Sequence, residues 1–143
     1  MKENIDPRMH SAEHILNQTM VRMFDCGRCF SSHIEKKKSK CDYHYDRSLT
    51  AGEIEAVESK VNEVIQLNLD VTVAFMSLEE ARAKYDLTRV PDGQENLRIV
   101  HIGDYDSTTC IGNHVANTRE IGPIKIISNT CTEGVLRIRY RLL

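Results

Sequence analysis

The sequence of 143 residues lacks the segments that membrane and secreted proteins carry. No stretch approaches the roughly 18 consecutive apolar residues that a membrane-spanning helix requires. Residues 1–8 are charged and contain a proline, whereas a secretory signal peptide would have an apolar core there. We therefore expect a cytoplasmic protein with no membrane partner.

The chain also lacks an excess of either charge, because 19 Lys and Arg residues face 21 Asp and Glu residues and the net charge is −2. The balanced charge argues against a protein that coats nucleic acid nonspecifically, although it does not exclude a local basic patch. The five cysteines are an odd number in a chain long enough to bury a core, which argues against a disulfide scaffold. We expect reduced thiols that are available as metal ligands or core residues.

The length predicts a single domain over residues 1–143, and neither an internal repeat nor a low-complexity segment divides it. Helices early and in the middle, with strands around them, predict an α+β two-layer sandwich whose largely antiparallel sheet packs against helices. Periodicity and capping residues predict a helix at residues 8–25, a hairpin at 29–47, a helix from the capping box at 50–53, a strand at 71–76, a short helix from 77–80, and strands at 97–102, 121–128 and 134–142.

Two pairs of metal-ligating residue types share the same spacing. His10 and His14 are four residues apart on the first predicted helix, so both side chains project from one face. Cys110 and His114 repeat this spacing in a stretch whose glycine and asparagine favour a turn. Imidazoles combined with a thiolate suit zinc better than magnesium or calcium. The spacing alone leaves open that the histidines are solvated or bonded to the backbone and that the cysteine is a core residue.

Two further clusters have competing interpretations. Cys26 and Cys29 form a CxxC, typical of half a zinc knuckle or a redox pair, but the sequence has no second CxxC, which favours a glycine turn flanked by two packed thiols. The lysines at the predicted hairpin tip are either a solvated loop or a contact surface for phosphates. This basic cluster comprises Lys36, Lys37, Lys38 and Lys40, with Arg28 nearby.

Three segments of the chain resemble the editing domain of alanyl-tRNA synthetase. They are residues 10–16 (HSAEHIL), 103–115 (GDYDSTTCIGNHV) and 118–122 (TREIG). The similarity extends over most of the chain, and a related domain edits in threonyl-tRNA synthetase. Because the sequence holds no synthetase portion, it is most similar to the free-standing alanyl-tRNA editing proteins of the short AlaX type.

The resemblance implies a zinc ion bound by His10, His14, Cys110 and His114, with the ion and its water carrying the catalysis. It implies a trans-editing hydrolase that cleaves the ester of a mischarged tRNA, most typically Ser-tRNA(Ala). The expected partner is the acceptor end of tRNA, which the basic cluster would position, and no protein partner can be inferred. Since catalytic zinc usually keeps one position open, we expect His114 to be the ligand most easily replaced by water.

The sequence departs from the family at positions that concern catalysis. The family's Cys-Gly-Gly-Thr-His loop here contains Ile111 and Asn113, and Thr108 stands where an acidic residue is common. A tRNA-binding or regulatory module that keeps the fold and metal site but lacks hydrolysis is therefore the alternative function. Asn113, with Ser31 and Ser32 in the predicted hairpin, is a candidate for contacting the substrate.

Overall fold

A computed structural model describes residues 5–88 and 90–143 of the chain. Residues 1–4, which are half of the charged start considered above, lie outside the described part. In the described part of the chain, three α-helices and seven strands follow one another in the order α1 (Pro7–Phe24), β1 (Ser31–His33), β2 (Ser39–His44), α2 (Ala51–Gln66), β3 (Val71–Ser77), α3 (Leu78–Arg82), β4 (Asn96–Ile102), β5 (Asp106–Thr109), β6 (Ile124–Thr132) and β7 (Val135–Leu142).

The helices begin where capping side chains satisfy the free amides of their first turns. The Asp6 carboxylate accepts from two backbone amides at the start of α1, and a proline occupies the first turn. At α2, Thr50 and Glu53 bond each other's backbone amides in the capping box that the sequence contains. Both helices therefore lie close to their predicted positions.

The strands form two antiparallel sheets, which confirms the predicted α+β class with antiparallel pairing. One sheet has the order β1-β2-β7-β6 and the other the order β3-β4-β5. The sequence did not predict β5, a four-residue strand that pairs with the end of β4. It also placed the start of β6 three residues too early, since residues 121–123 lie outside the strand that begins at Ile124.

The main core lies around α1, whose residues from Met9 to Asn17 are all buried. The Tyr140 hydroxyl on β7 donates to the Met9 carbonyl at 3.0 Å and ties the helix to the four-stranded sheet. A smaller core centred on Leu97 and Ile99 lies against the three-stranded sheet. Within the described ranges, no helix is both long and apolar enough to span a bilayer.

Candidate metal centre

Four side chains of metal-ligating type converge where the first turns of α1 meet the loop after β5. One ligand atom from each of His10, His14, Cys110 and His114 lies within 4.8 Å of the corresponding atoms of the other three. The His10 and His14 residues are only 5% and 3% exposed, so they are not solvated helix residues. The His10 and His114 rings stack with centroids 4.2 Å apart.

The loop that carries Cys110 and His114 is fastened to β4 by Arg98. The Arg98 guanidinium donates to the carbonyls of Cys110 and Gly112 at 3.0 and 2.8 Å. In return, the Cys110 amide donates to the Arg98 carbonyl at 3.1 Å. The loop therefore enters the site from a fixed strand rather than from a free connection.

Backbone and hydroxyl groups of the opposite segment orient two of the histidine rings. His10 Nδ1 donates to the Asn113 carbonyl at 3.0 Å, which leaves Nε2 facing Cys110 Sγ at 3.4 Å. Ser11 Oγ accepts from the Val115 amide at 3.1 Å and lies 3.0 Å from His114 Nδ1. Such contacts to the second ring nitrogen fix the orientation of metal-binding histidines.

A buried carboxylate lies behind the third histidine. Asp106 Oδ2 is 3.6 Å from His14 Nδ1, an ion-pair distance that is too long for a direct hydrogen bond. Asp106 is held from its other side by Arg28, which donates to both carboxylate oxygens at 2.6 and 3.2 Å, and by Gln18 at 2.9 Å. Although burial opposes its ionisation, these contacts with His14 and Arg28 keep the Asp106 pKa well below the usual range.

The donor set fits a zinc ion. His114 Nε2 is buried without a hydrogen-bond partner in the described part of the chain, which is unusual for a polar atom and leaves it open to a ligand. His14 Nδ1 also lacks a hydrogen bond, but it faces Asp106 at 3.6 Å. Three imidazoles and one thiol form the soft nitrogen and sulfur set that zinc prefers. The four side chains match the number of ligands in a closed zinc site, and the His114 ring is held by a contact of 3.0 Å between its Nδ1 and Ser11 Oγ.

The ionisation of Cys110 and His114 favours the binding of a cation. Burial alone would raise the Cys110 pKa, but the three histidine side chains around the thiol lower it to about 2, so a thiolate is present at neutral pH. Burial lowers the His114 pKa to about 4, which leaves this ring neutral. Burial disfavours the charged form of His14, yet contacts with Asp106 and Cys110 raise its pKa to about 9, so this ring is protonated at neutral pH and would release its proton on binding a metal ion.

Glycine at position 112 permits the close approach of loop and helix. A Cβ atom built on Gly112 would collide with the His10 ring, lying 2.6 Å from Nδ1 and meeting Cε1 as well. Any side chain would therefore displace His10 or the loop. Ile111, where the family has another glycine, is instead 63% exposed.

Glu13 lies at the site although the spacing of the His and Cys pairs does not point to it. It is 5% exposed, and its Oε1 lies 3.6 Å from His10 Nε2, whereas Cys29 Sγ donates to its Oε2 at 3.3 Å. Positions three apart on a helix share one face, so the interval from His10 to Glu13 was a usable signal. The site therefore contains a carboxylate even though Thr108, on β5, supplies none.

The predicted substrate and tRNA contacts lie outside this cluster or at its edge. Ser31 and Ser32 on β1 line a polar cavity of about 300 Å³ together with Lys40, Asp42 and Arg137, and none of the four clustered residues lines it. Lys36, Lys37 and Lys38 are exposed in the connection from β1 to β2, and Lys40 is half-buried on β2. Asn113 is exposed and contributes its backbone carbonyl to His10.

Comparison with known proteins relates the chain to aminoacyl-tRNA synthetases. Residues 97–139, which include Cys110 and His114, match the family described as the threonyl and alanyl tRNA synthetase second additional domain. An alanine–tRNA ligase of Coxiella burnetii (strain Dugway 5J108-111) is 36% identical over 92% of the chain, and that of Aeropyrum pernix is 36% identical over 93%. The chain spans only 16% and 15% of the lengths of these two relatives.

Proposed function

Because the chain is related to alanyl-tRNA synthetase and resembles its editing domain, with a link to threonyl-tRNA synthetase, we propose that it hydrolyses mischarged tRNA in trans. The substrate we propose is Ser-tRNA(Ala), and the place of action is the cytoplasm. In this proposal residues 1–143 act as one aminoacyl-tRNA editing domain.

The observation that carries this proposal is the convergence of two pairs of residues from segments about a hundred positions apart. His10, His14, Cys110 and His114 would hold zinc through their imidazoles and thiolate. When bound, zinc polarises an ester carbonyl and lowers the pKa of water. Asp106 keeps His14 in place, and Ser11 does so for His114.

The reaction is the hydrolysis of one ester bond. The oxygen of water adds to the carbonyl carbon of the amino acid, and the bond to the terminal ribose oxygen breaks. That oxygen takes up a proton, so the products are free serine and uncharged tRNA. A synthetase pocket built for a methyl group rejects an added hydroxyl poorly, which is why a second, serine-selective site is useful.

Positive charge near the hairpin supports the proposed contact with the acceptor end. Lys36, Lys37 and Lys38 are exposed at the tip of the connection from β1 to β2, and Lys40 lines the polar cavity beside Ser31 and Ser32. A few lysine contacts with phosphates would position the end of tRNA without making the whole protein basic. In this arrangement the two serines and Asn113 contact the terminal nucleotide or its amino acid.

A deacylation assay with Ser-, Gly- and Ala-charged tRNA(Ala) tests the proposal. The native protein should release serine and spare Ala-tRNA(Ala), while His10→Ala and Cys110→Ala should lose both zinc and activity. Their matched controls are His44→Ala, on the exposed end of β2, and Cys131→Ala, half-buried on β6. Full activity in a zinc-free His10→Ala protein would contradict the proposal.

The second candidate is a binding module without hydrolysis, which is favoured by Thr108 and by the altered loop at Ile111 and Asn113. Such a module would bind zinc and tRNA but release no amino acid from any of the three substrates. Metal content alone does not separate the two functions, whereas the release of serine does.

A further inference from the structure

A second group of metal-ligating side chains lies beside the first, in contact with His10 through Glu13. Glu13 comes from α1, Cys29 from the segment before β1, and Cys41 from β2, and one ligand atom of each lies within 4.8 Å of those of the other two. The three residues are 5%, 3% and 0% exposed. Three separate parts of the chain therefore bring two thiols and a carboxylate to one point in the core.

The Glu13 carboxylate is buried beside thiols rather than among strong hydrogen-bond donors. Its contacts include a thiol donor, Cys29 Sγ at 3.3 Å, and His10 Nε2 at 3.6 Å, and the Arg28 guanidinium interacts with it electrostatically. Thiols are weak hydrogen-bond donors, and the removal of a carboxylate from water is unfavourable unless a charge or strong donors replace the water. A divalent cation between carboxylate and thiols would supply that charge.

Neighbouring residues hold the backbone of both cysteines in place. Asn17 Oδ1 accepts from the Cys29 amide at 3.4 Å and from the Tyr43 hydroxyl at 2.7 Å. These bonds fix the backbone that carries Cys29 against α1. Cys41 is fixed by its place on β2, where it pairs with Ser32 on one side and Ile138 on the other.

We propose that Glu13, Cys29 and Cys41 form a second metal site, for a thiophilic divalent cation such as zinc. Two sulfurs and one oxygen suit zinc and disfavour magnesium and calcium, which prefer oxygen ligands alone. Binding replaces the protons of both thiols with metal–sulfur bonds, so two protons leave for each ion that enters. Three protein ligands leave a fourth position for another donor.

Cobalt(II) is the probe that distinguishes the two sites, because thiolate ligands give it charge-transfer absorption in the near ultraviolet. The protein is stripped of metal with a chelator, kept reduced with a phosphine and titrated with cobalt. We expect two equivalents to bind. In Cys110→Ser/His114→Ala, the first site has lost its thiolate, so any remaining charge-transfer band must come from Cys29 and Cys41.

We expect this band to persist in that background, to disappear when Cys41→Ser is added, and to remain when Cys26→Ser is added instead. Cys26 is the matched control, since it is buried but its thiol donates to the Met20 carbonyl. One equivalent in the native protein, or no band in the double variant, would overturn the proposal. The number of cobalt equivalents bound by the native protein decides the question even if a variant fails to fold. Because deacylation is not measured, the test is independent of the proposed function.

Discussion

Ser11 Oγ and His114 Nδ1 lie 3.0 Å apart although 103 positions separate them in the chain. The same hydroxyl accepts from the Val115 amide, so one small side chain of α1 holds both the ring and the backbone of the loop. The position after His10 therefore links the two halves of the metal centre. Its role depends on a contact that no local pattern in the sequence specifies.

Gly112→Ala should disturb the metal centre from the loop side. The added methyl would collide with the His10 ring, and overpacking of this kind costs about 1–3 kcal/mol of unfolding free energy. We expect a lower Tm and weaker zinc binding, measured by thermal unfolding and by competition with a chromophoric chelator. Gly27→Ala, where a Cβ meets nothing within 4 Å, is the control and should resemble the native protein.

Asp106→Asn should weaken zinc binding without removing a ligand. The carboxylate orients His14, and the loss of such outer partners typically lowers metal affinity or activity by about 10- to 100-fold. The same chelator competition measures the change. Asp104→Asn alters an exposed carboxylate in the turn before β5 and should leave the affinity unchanged. Equal zinc affinities for Asp106→Asn and Asp104→Asn would show that Asp106 does not support the metal site.

Changing Lys36, Lys37 and Lys38 to alanine should weaken tRNA binding and flatten its salt dependence. Each phosphate contact that is lost reduces the slope of log K against log salt by about 1. A triple Lys60/Lys84/Lys125→Ala variant changes the net charge equally and should keep a slope near that of the native protein. If the two variants behave alike, the basic cluster at the hairpin tip is a solvated loop.

The ion pair at the start of α2 predicts a pH-dependent effect on stability. Hydrogen bonds from Arg47 and the Thr50 amide lower the Glu53 pKa from 4.5 to about 2. A lowered pKa stabilises the fold above the unfolded value near 4.5, and this contribution is lost as the pH falls toward 2. Glu53→Gln should therefore lower Tm at pH 7, with a difference from the native protein that vanishes near pH 2.

The control for this effect is Glu55→Gln, which changes an exposed glutamate on the same helix. We expect it to follow the native protein at both pH values. A Glu53→Gln deficit that is as large at pH 2 as at pH 7 would mean that the side chain acts through hydrogen bonding alone and not through its charge.

The sequence predicted the helices and the α+β class well because their signals are local. The box at Thr50 and Glu53 and the apolar period that follows it specify α2 without reference to the rest of the chain. β5 has no such signal, since its four residues are half-buried or polar and it is a strand only because β4 lies beside it.

The same distinction applies to the site. The pairs at 10 and 14 and at 110 and 114 have short spacings that sequence analysis can detect, and the structure brings the two pairs together. Cys29 and Cys41 meet Glu13 only through the fold, whereas the more visible CxxC at 26–29 shares only Cys29 with that group. Arg98 likewise becomes relevant only when β4 and the loop are adjacent.

The position of the four clustered residues has a mechanical consequence. His10 and His14 lie on α1, which is embedded in the main core. Cys110 and His114 follow β5, which belongs to the smaller sheet. An ion held by both pairs would act as a cross-link at the seam between these halves. Amide exchange in β4 and β5 should then slow when metal is added, even at residues remote from the ion.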